Sequence, residues 1–291
     1  MGLNSFSLCH SAIIPLSSGA MLLRVEATER RPRLHPNATK TARVIIAEPH
    51  AAMKLLDLTL RTPEENLACD EVLLDGCEAG GGEDLLRFWE PRGYFVVVGY
   101  ADRVATEVDV AACAADGVPI LRRCSGGGTV LQGPGCLNYS LILRIGEGSA
   151  LQTISGANHF IMQRHRGAFV PVLGEAVAVR GLTDLALSGR KFSGNSQRRR
   201  RRCLLFHGTF LLEFDLARVE RYLPMPSKQP GYRRDRAHSE FLTNLGIPAV
   251  QVKALLRDAW GATDLATTVP LDAINALVRE KHSTPAWNFR R

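Results

Sequence analysis

Two glycine-rich stretches hold the residues best suited to chemistry. The first, Arg122-Arg-Cys-Ser-Gly-Gly-Gly-Thr-Val130, directly follows an expected strand. Three consecutive glycines let backbone approach a ligand closely and present its N–H groups in conformations other residues avoid. Arg122 and Arg123 beside them supply charge for a phosphate or carboxylate. The stretch is not a P-loop, because no Gly-Lys-Ser/Thr follows, and it lacks the Gly-x-Gly-x-x-Gly spacing of a dinucleotide fold. A plain structural turn is its alternative reading. The second stretch, Gly189-Arg-Lys-Phe-Ser-Gly-Asn-Ser-Gln197, leads into Arg198–Arg202 and then Phe206-His-Gly-Thr209. Lys191, just past the turn at Ser188-Gly189, could be a point charge over a carboxylate or α-phosphate. A solvated strand lysine is the bland alternative.

The elements that must position these stretches alternate between helical and strand patterns. A strand is expected at 54–60, then a helix started by Thr62 as N-cap, with Pro63 at its first position and Glu65 closing a capping box. The helix runs over 66–78 and ends at Gly80-Gly-Gly82. Strands follow at 85–89 and 94–99 around the turn at 90–93. A helix is expected at 104–116, strands at 119–123 and 137–144, and a helix at 154–172. Further strands are expected at 176–179, 185–188 and 204–214, and two amphipathic helices at 247–260 and 271–282. Helices between strand groups indicate an α/β (α+β) fold. Residues 1–50 are rich in Ser, Pro and Arg without periodicity. They read as a poorly ordered N-terminal extension: a transit peptide, or leader upstream of a true start at Met53.

The chain has 291 residues, with 36 Lys+Arg against 29 Asp+Glu and a net charge of +7. Its 45% hydrophobic content excludes disorder throughout. No apolar run approaches the ~18–20 residues that span a bilayer, so no membrane partner is expected. Arg198–Arg202 contributes five of the positive charges, so the rest of the chain carries only 7 − 5 = +2. The seven cysteines are odd in number and irregularly spaced, without a C-x-x-C pair. Neither a disulfide scaffold nor a zinc site is indicated, and a reducing cytoplasm is the simplest compartment.

Taken in order, the motifs resemble the lipoate–protein ligase branch of the biotin/lipoate ligase superfamily. The matching segments are Arg122–Val130, Asn138-Tyr139-Ser140, Asp184-Leu185, Gly189–Ser196 and His207-Gly208-Thr209. Asn66-Leu-Ala-Cys-Asp70-Glu71 looks like the family's first helix, and Trp287-Asn288-Phe289 like its closing motif. The resemblance implies a single catalytic domain over residues 51–291, with a central mixed, largely antiparallel sheet flanked by helices. It implies ATP-dependent activation of lipoate or octanoate as an acyl-adenylate, then transfer to a lysine of an acceptor domain. Lys191 would be the catalytic cation. Backbone N–H groups of Gly126, Gly127 and Gly128 would hold the phosphate, with Ser125 in the same loop and Arg122 and Arg123 assisting. Asp184 would position the adenylate or a nucleotide-borne Mg2+, Asn138 would fix the substrate loop, and Ser193 and Gly194 would contact substrate. His207 is a further candidate, with a structural role as its alternative. Lipoyl domains of 2-oxoacid dehydrogenases or the glycine-cleavage H protein would be the acceptors.

Two other chemistries stay open at this point. Within the superfamily, ATP-independent octanoyl or lipoyl transferases act through a cysteine thioester. This chain reads Leu223-Pro-Met-Pro-Ser227 and Val179-Arg-Gly-Leu-Thr-Asp184 where such a cysteine stands, while Cys124 and Cys203 read as packed side chains. Larger ligases of the family carry a C-terminal accessory domain, so a separate accessory protein is an expected partner. Nucleic-acid binding through the arginine run is the reading from another class, but no recognition motif accompanies the run. Lying in a loop between two site motifs, it fits better as a basic lip over the nucleotide or a docking surface for acidic lipoyl domains.

Overall fold

The computed structural model describes residues 53–290; the expectations for residues 1–50 lie outside them. Strand β1 (Lys54–Asp57) leads to helix α1 (Pro63–Glu78), which begins as its sequence requires. The Thr62 hydroxyl accepts from the Glu65 N–H at 3.2 Å, and the Glu65 carboxylate accepts from the Thr62 N–H at 2.9 Å. Strands β2 (Leu85–Trp89) and β3 (Phe95–Val98) follow. The helix expected over 104–116 is broken into α2 (Val104–Glu107) and α3 (Val110–Ala115). Val108 is extended between them, and the Asp109 carboxylate caps α3 through the Ala112 N–H at 2.8 Å. A β-branched residue followed by a good N-cap favours such a restart.

Strands β4 (Ile120–Arg122), β5 (Val130–Gln132) and β6 (Cys136–Arg144) precede helix α4 (Ile154–Leu173). Four antiparallel strands come next: β7 (Val177–Arg180), β8 (Asp184–Leu187), β9 (Arg190–Arg199) and β10 (Cys203–Leu211). The chain closes with α5 (Ala217–Tyr222), α6 (His238–Phe241), α7 (Ala249–Trp260), β11 (Asp264–Leu265), α8 (Leu271–Leu277), a π-turn over Val278–His282, and α9 (Pro285–Asn288). The segment leading into the arginines is therefore strand through Arg199, and residues 200–202 form the expected loop before β10. The strand's small polar residues give little strand signal alone, and pairing with β10 supplies the missing stabilisation.

Eight strands form a mixed sheet in the order β11-β1-β2-β6-β10-β9-β8-β7, parallel among the first three and antiparallel thereafter. Strands β4-β3-β5 form a separate small sheet, so the one central sheet expected from sequence is accompanied by a second. Strand alternation divides the large sheet into two faces. Leu86, Phe88, Leu141, Leu143, Phe206 and Phe210 face α4 and α7 and build the main core with Ile161, Phe169 and Leu256. Leu85, Ile142 and Leu205 face the other way and pack under Leu74 of α1. Each buried leucine contributes roughly 2 kcal/mol through apolar surface removed from water.

Cys77 at the end of α1 and Cys203 at the start of β10 are joined as a disulfide, with Cα atoms 6.3 Å apart. This corrects the sequence reading, which gave no disulfide; a separation of 126 residues carries no local signal of the pairing. A second tie joins α1 to the chain's end: Glu71 accepts from Lys281 Nζ at 2.5 Å and His282 Nε2 at 3.0 Å. Burial disfavours the Glu71 carboxylate, but these two bonds outweigh it and hold its pKa at about 2.

Glu71 is depressed in the folded state, so its stabilisation is complete above the ordinary glutamate range and is lost as pH falls towards 2. The Glu71→Gln variant is expected to unfold more easily at neutral pH, by on the order of 3 kcal/mol. Urea midpoints should show that difference shrinking between about pH 4.5 and 2.

Candidate active site

One row of side chains crosses three strands beneath α1. Register pairs Arg87 of β2 with Ser140 of β6, and Ser140 with His207 of β10, so all three project from the same face. Asp70 of α1 lies over the row and accepts from each: Arg87 Nη1 at 2.6 Å, Ser140 Oγ at 2.7 Å and His207 Nδ1 at 3.2 Å. Arg87 is wholly buried and also donates to the Asn66 carbonyl at 3.0 Å and Asn66 Oδ1 at 2.6 Å. Burial works against an ionised Asp70, but the Arg87 charge and the bonds from His207 and Ser140 win and hold its carboxyl below the usual range.

The row continues into the first glycine-rich loop. Ser125 Oγ lies 2.6 Å from His207 Nε2, and Arg123 Nε donates to the same hydroxyl at 3.1 Å. Arg123 Nη2 donates to the Gly126 carbonyl at 2.5 Å and the Gly128 carbonyl at 2.9 Å, holding the loop from behind. Ser196 Oγ of β9 donates to Gly126 at 2.9 Å. Gly127 has φ +81°, where a side chain would be strained. Burial lowers the Arg123 pKa to about 10, which still leaves a cation at neutral pH.

Lys191 reaches the site through a bulge. Between β8 and β9, Leu185 pairs with Ser193 but Ala186 with Lys191, leaving Phe192 unpaired. Without the extra residue Lys191 and Gly194 would point to opposite faces; with it both reach the cavity. Lys191 Nζ sits 2.7 Å from Asp184 Oδ1, and a Cβ at Gly194 would lie only 2.6 Å from that nitrogen. Tyr232 donates to Asp184 Oδ2 at 2.8 Å. Nearby, Gln132, Asn138 and Thr209 close a ring: Gln132 Nε2 donates to Thr209 at 2.6 Å, Thr209 to Asn138 at 2.5 Å, and Asn138 Nδ2 to Gln132 at 3.1 Å.

These groups surround a cavity of about 660 Å³. Asp70, Arg123, Gly127, Gly128, Lys191, Ser193, Gly194 and His207 lie along it, with Leu67, Trp89, Val97, Val130 and Phe214 on its apolar wall. A cation pair and a glycine loop beside an apolar volume can hold an acid group at one end of a hydrocarbon chain. Among the described residues no cysteine lines the cavity. The free cysteines described, Cys69, Cys113, Cys124 and Cys136, are all buried. Desolvation raises their thiols to about 11 for the first two and about 12 for the others, so they are poor nucleophiles.

Two sequence expectations change, those for Arg122 and for the arginine run. Arg122 is not at the cavity; its guanidinium donates to the carbonyls of Gly99, Tyr100, Asp102, Trp287, Asn288 and Arg290. A fully buried fork of N–H donors facing backbone carbonyls is a structural clamp, and it holds the closing motif in place. Asp184 does lie at the cavity, with its oxygens engaged by Lys191 and Tyr232. Asn138, on β6, also lines the cavity and belongs to the buried ring with Gln132 and Thr209. The arginine run is no lip over the cavity. Strand β9 carries Arg198 and Arg199 about 13–17 Å beyond Gly194; Arg199 binds the Leu151 carbonyl at 2.6 Å and Arg200 pairs with Asp75 at 2.7 Å.

Asp70, Arg87, Gln132, Ser196 and Tyr232 are site residues to which sequence reading assigned no role. Arg87 had a signal: a charge inside the apolar run Leu85-Leu-Arg-Phe-Trp89 demands a buried acid.

The Arg122→Lys variant is expected to lose about 3 kcal/mol in urea unfolding, since one ammonium cannot satisfy six carbonyls. Gly194→Ala makes the opposite separation. Its stability should stay within about 1 kcal/mol of wild type, because only the flexible end of Lys191 must shift, while any activity that depends on Lys191 falls.

The fold and motifs recur in known proteins. Residues 62–247 match the model of the lipoyl protein ligase A/B catalytic domain. A relative from Aeropyrum pernix is 33% identical over 170 residues, covering 57% of this chain and only 60% of its own length. Lipoate–protein ligase 1 of Staphylococcus aureus is 28% identical over 241 residues, covering 79% of this chain and 70% of that protein. Octanoyltransferase LipM of Symbiobacterium thermophilum is 28% identical over 279 residues, covering 82% and 98% respectively. Among solved structures, the bi-partite lipoate protein ligase of Thermoplasma acidophilum shares the fold with a TM-score of 0.68 at 22% identity, covering 82% of this chain and 97% of that one. A lipoate–protein ligase A bound with ATP gives 0.66 at 22% identity, covering 82% and 98%. The chain thus belongs to the lipoyl protein ligase A/B catalytic domain family.

Proposed function

We propose that the protein is an ATP-dependent lipoate–protein ligase, joining lipoate or octanoate to a lysine of a lipoyl-bearing acceptor domain. The observation that carries this reading is the cavity lining, which holds Lys191 and glycines of the first loop and, among the described residues, no cysteine. A thioester transferase needs a thiolate at that place. The apolar wall suits a medium-chain acyl tail, and Arg123, Lys191, Gly127 and Gly128 suit the acid group and the α-phosphate. When bound, ATP supplies the leaving group that makes the acid reactive, with Mg2+ arriving on its phosphates.

Lys191 then stabilises negative charge as it develops on the phosphate and acyl oxygens. Asp184 keeps the ammonium in place from one side, and the bare Cα of Gly194 leaves it room. The acceptor lysine forms its amide bond to the acyl carbon as AMP leaves. Support for ATP comes from the fold shared with an ATP-bound ligase, and support for a lipoyl-domain acceptor from the Thermoplasma system. That system, being bi-partite, also supports a separate accessory protein as a partner in the adenylation step.

Similarity to LipM along nearly the whole length of that enzyme favours one second reading, ATP-independent octanoyl transfer. Acylation of an apo lipoyl domain separates the two. The expected result is transfer from free lipoate or octanoate only with ATP and Mg2+, the accessory protein being added in a parallel arm. Transfer from an octanoylated carrier protein without ATP would select the transferase. Lys191→Ala should lower the rate by roughly 100-fold or more while the fold is retained; full activity would remove Lys191 from the mechanism.

A further inference from the structure

We propose that Asp70 is a positioning residue for acylation: it fixes which nitrogen of His207 carries the proton and, through His207 and Ser125, the seat of the glycine loop. The inference rests on the function proposed above.

Hydrogen-bond direction along the row leaves one consistent arrangement. An ionised carboxylate can only accept, so the His207 nitrogen 3.2 Å from Asp70 Oδ2, Nδ1, carries the hydrogen. In the neutral ring Nε2 then accepts, and the Ser125 hydroxyl at 2.6 Å donates to it. The lone pairs of Ser125 Oγ are left to accept from Arg123 Nε at 3.1 Å. Arg123 places its Nη2 donors on the carbonyls of Gly126 and Gly128. Direction therefore runs from the loop to Asp70, which also accepts from Arg87 and Ser140.

An amide at position 70 breaks this order. With its oxygen kept towards Arg87, its NH2 faces His207, Nδ1 must accept, and the ring hydrogen moves to Nε2. Ser125 then meets two donors, Arg123 and His207, and its own hydrogen loses its place. The arrangement is more than a helix anchor, because Asp70 and His207 both line the cavity that holds Lys191. Helix α1 has its own attachment to Arg87 through the Asn66 carbonyl and side chain.

Long-range 1H–15N NMR of the ring nitrogens in the full chain, combined with acylation kinetics, tests the proposal. Wild type should show His207 protonated at Nδ1 and bare at Nε2. Asp70→Asn should reverse the two and lower kcat for acylation at least about tenfold, with the acceptor KM changed by less than about twofold. Asp70→Glu should restore the wild-type ring pattern and part of kcat. Should Asp70→Asn fail to fold with Arg87 unpaired, Ser125→Ala reads the same chain from its other end: Nδ1 stays protonated while kcat falls. A wild-type proton on Nε2, or unchanged kcat in Asp70→Asn or Ser125→Ala, overturns the proposal. Absence of acylation by wild type with every donor would instead overturn the proposed function, and the ring pattern would still test the hold of Asp70 on His207.

Discussion

A single buried carboxylate organises the catalytic face of this protein. Asp70 sits where helix α1 crosses the sheet, and three strands each send it a donor from one register row. A charge removed from water is tolerated only when paired and fully hydrogen-bonded. That requirement ties α1, β2, β6 and β10 into one arrangement. Through His207 and Ser125 it extends to the glycine loop. The disulfide from Cys77 to Cys203 and the pair from Arg200 to Asp75 join α1 to the start of β10 and the turn before it. The loop beside the cavity is thus held by packing far from it.

The arginines show that identical side chains take their roles from their surroundings. Arg122 and Arg123 are neighbours in sequence but leave the strand on opposite sides. One clamps the closing motif around Trp287, and the other grips the glycine loop. Arg87 balances Asp70. Arg198 lies over the Tyr100 ring at 5.3 Å, and Arg199 and Arg200 are bound to neighbouring elements. These six cations are thus engaged within the chain.

Much of the fold was legible because local chemistry and global need agree. The capping box at Thr62, the apolar strands at 85–89 and 137–144, and the helix at 154–172 appear where their patterns place them. Strand β9 was not legible. Its residues are small and polar because they face a cavity, which hides the strand pattern. The candidate site was half legible: Lys191, Arg123, Gly127, Gly128 and His207 announce themselves through motif and spacing. Asp70 and Tyr232 do not, since an acid in a helix and a tyrosine in a loop are ordinary until something faces them.

What the sequence by itself determined is the set of chemical groups and their order: a glycine loop flanked by arginines, a lysine after a turn, and a His-Gly-Thr strand. That set carries the resemblance to the family. Only the tertiary structure decided which groups meet the cavity and which are used in holding the protein together. Strand register and the bulge at Phe192 place Lys191 beside Gly194, and burial commits Arg122 to six carbonyls. The physical reason is that hydrogen bonds and ion pairs act over a few ångströms. Residues such as Asp70 and His207, 137 positions apart, acquire a shared role only when the sheet and helix bring them into contact.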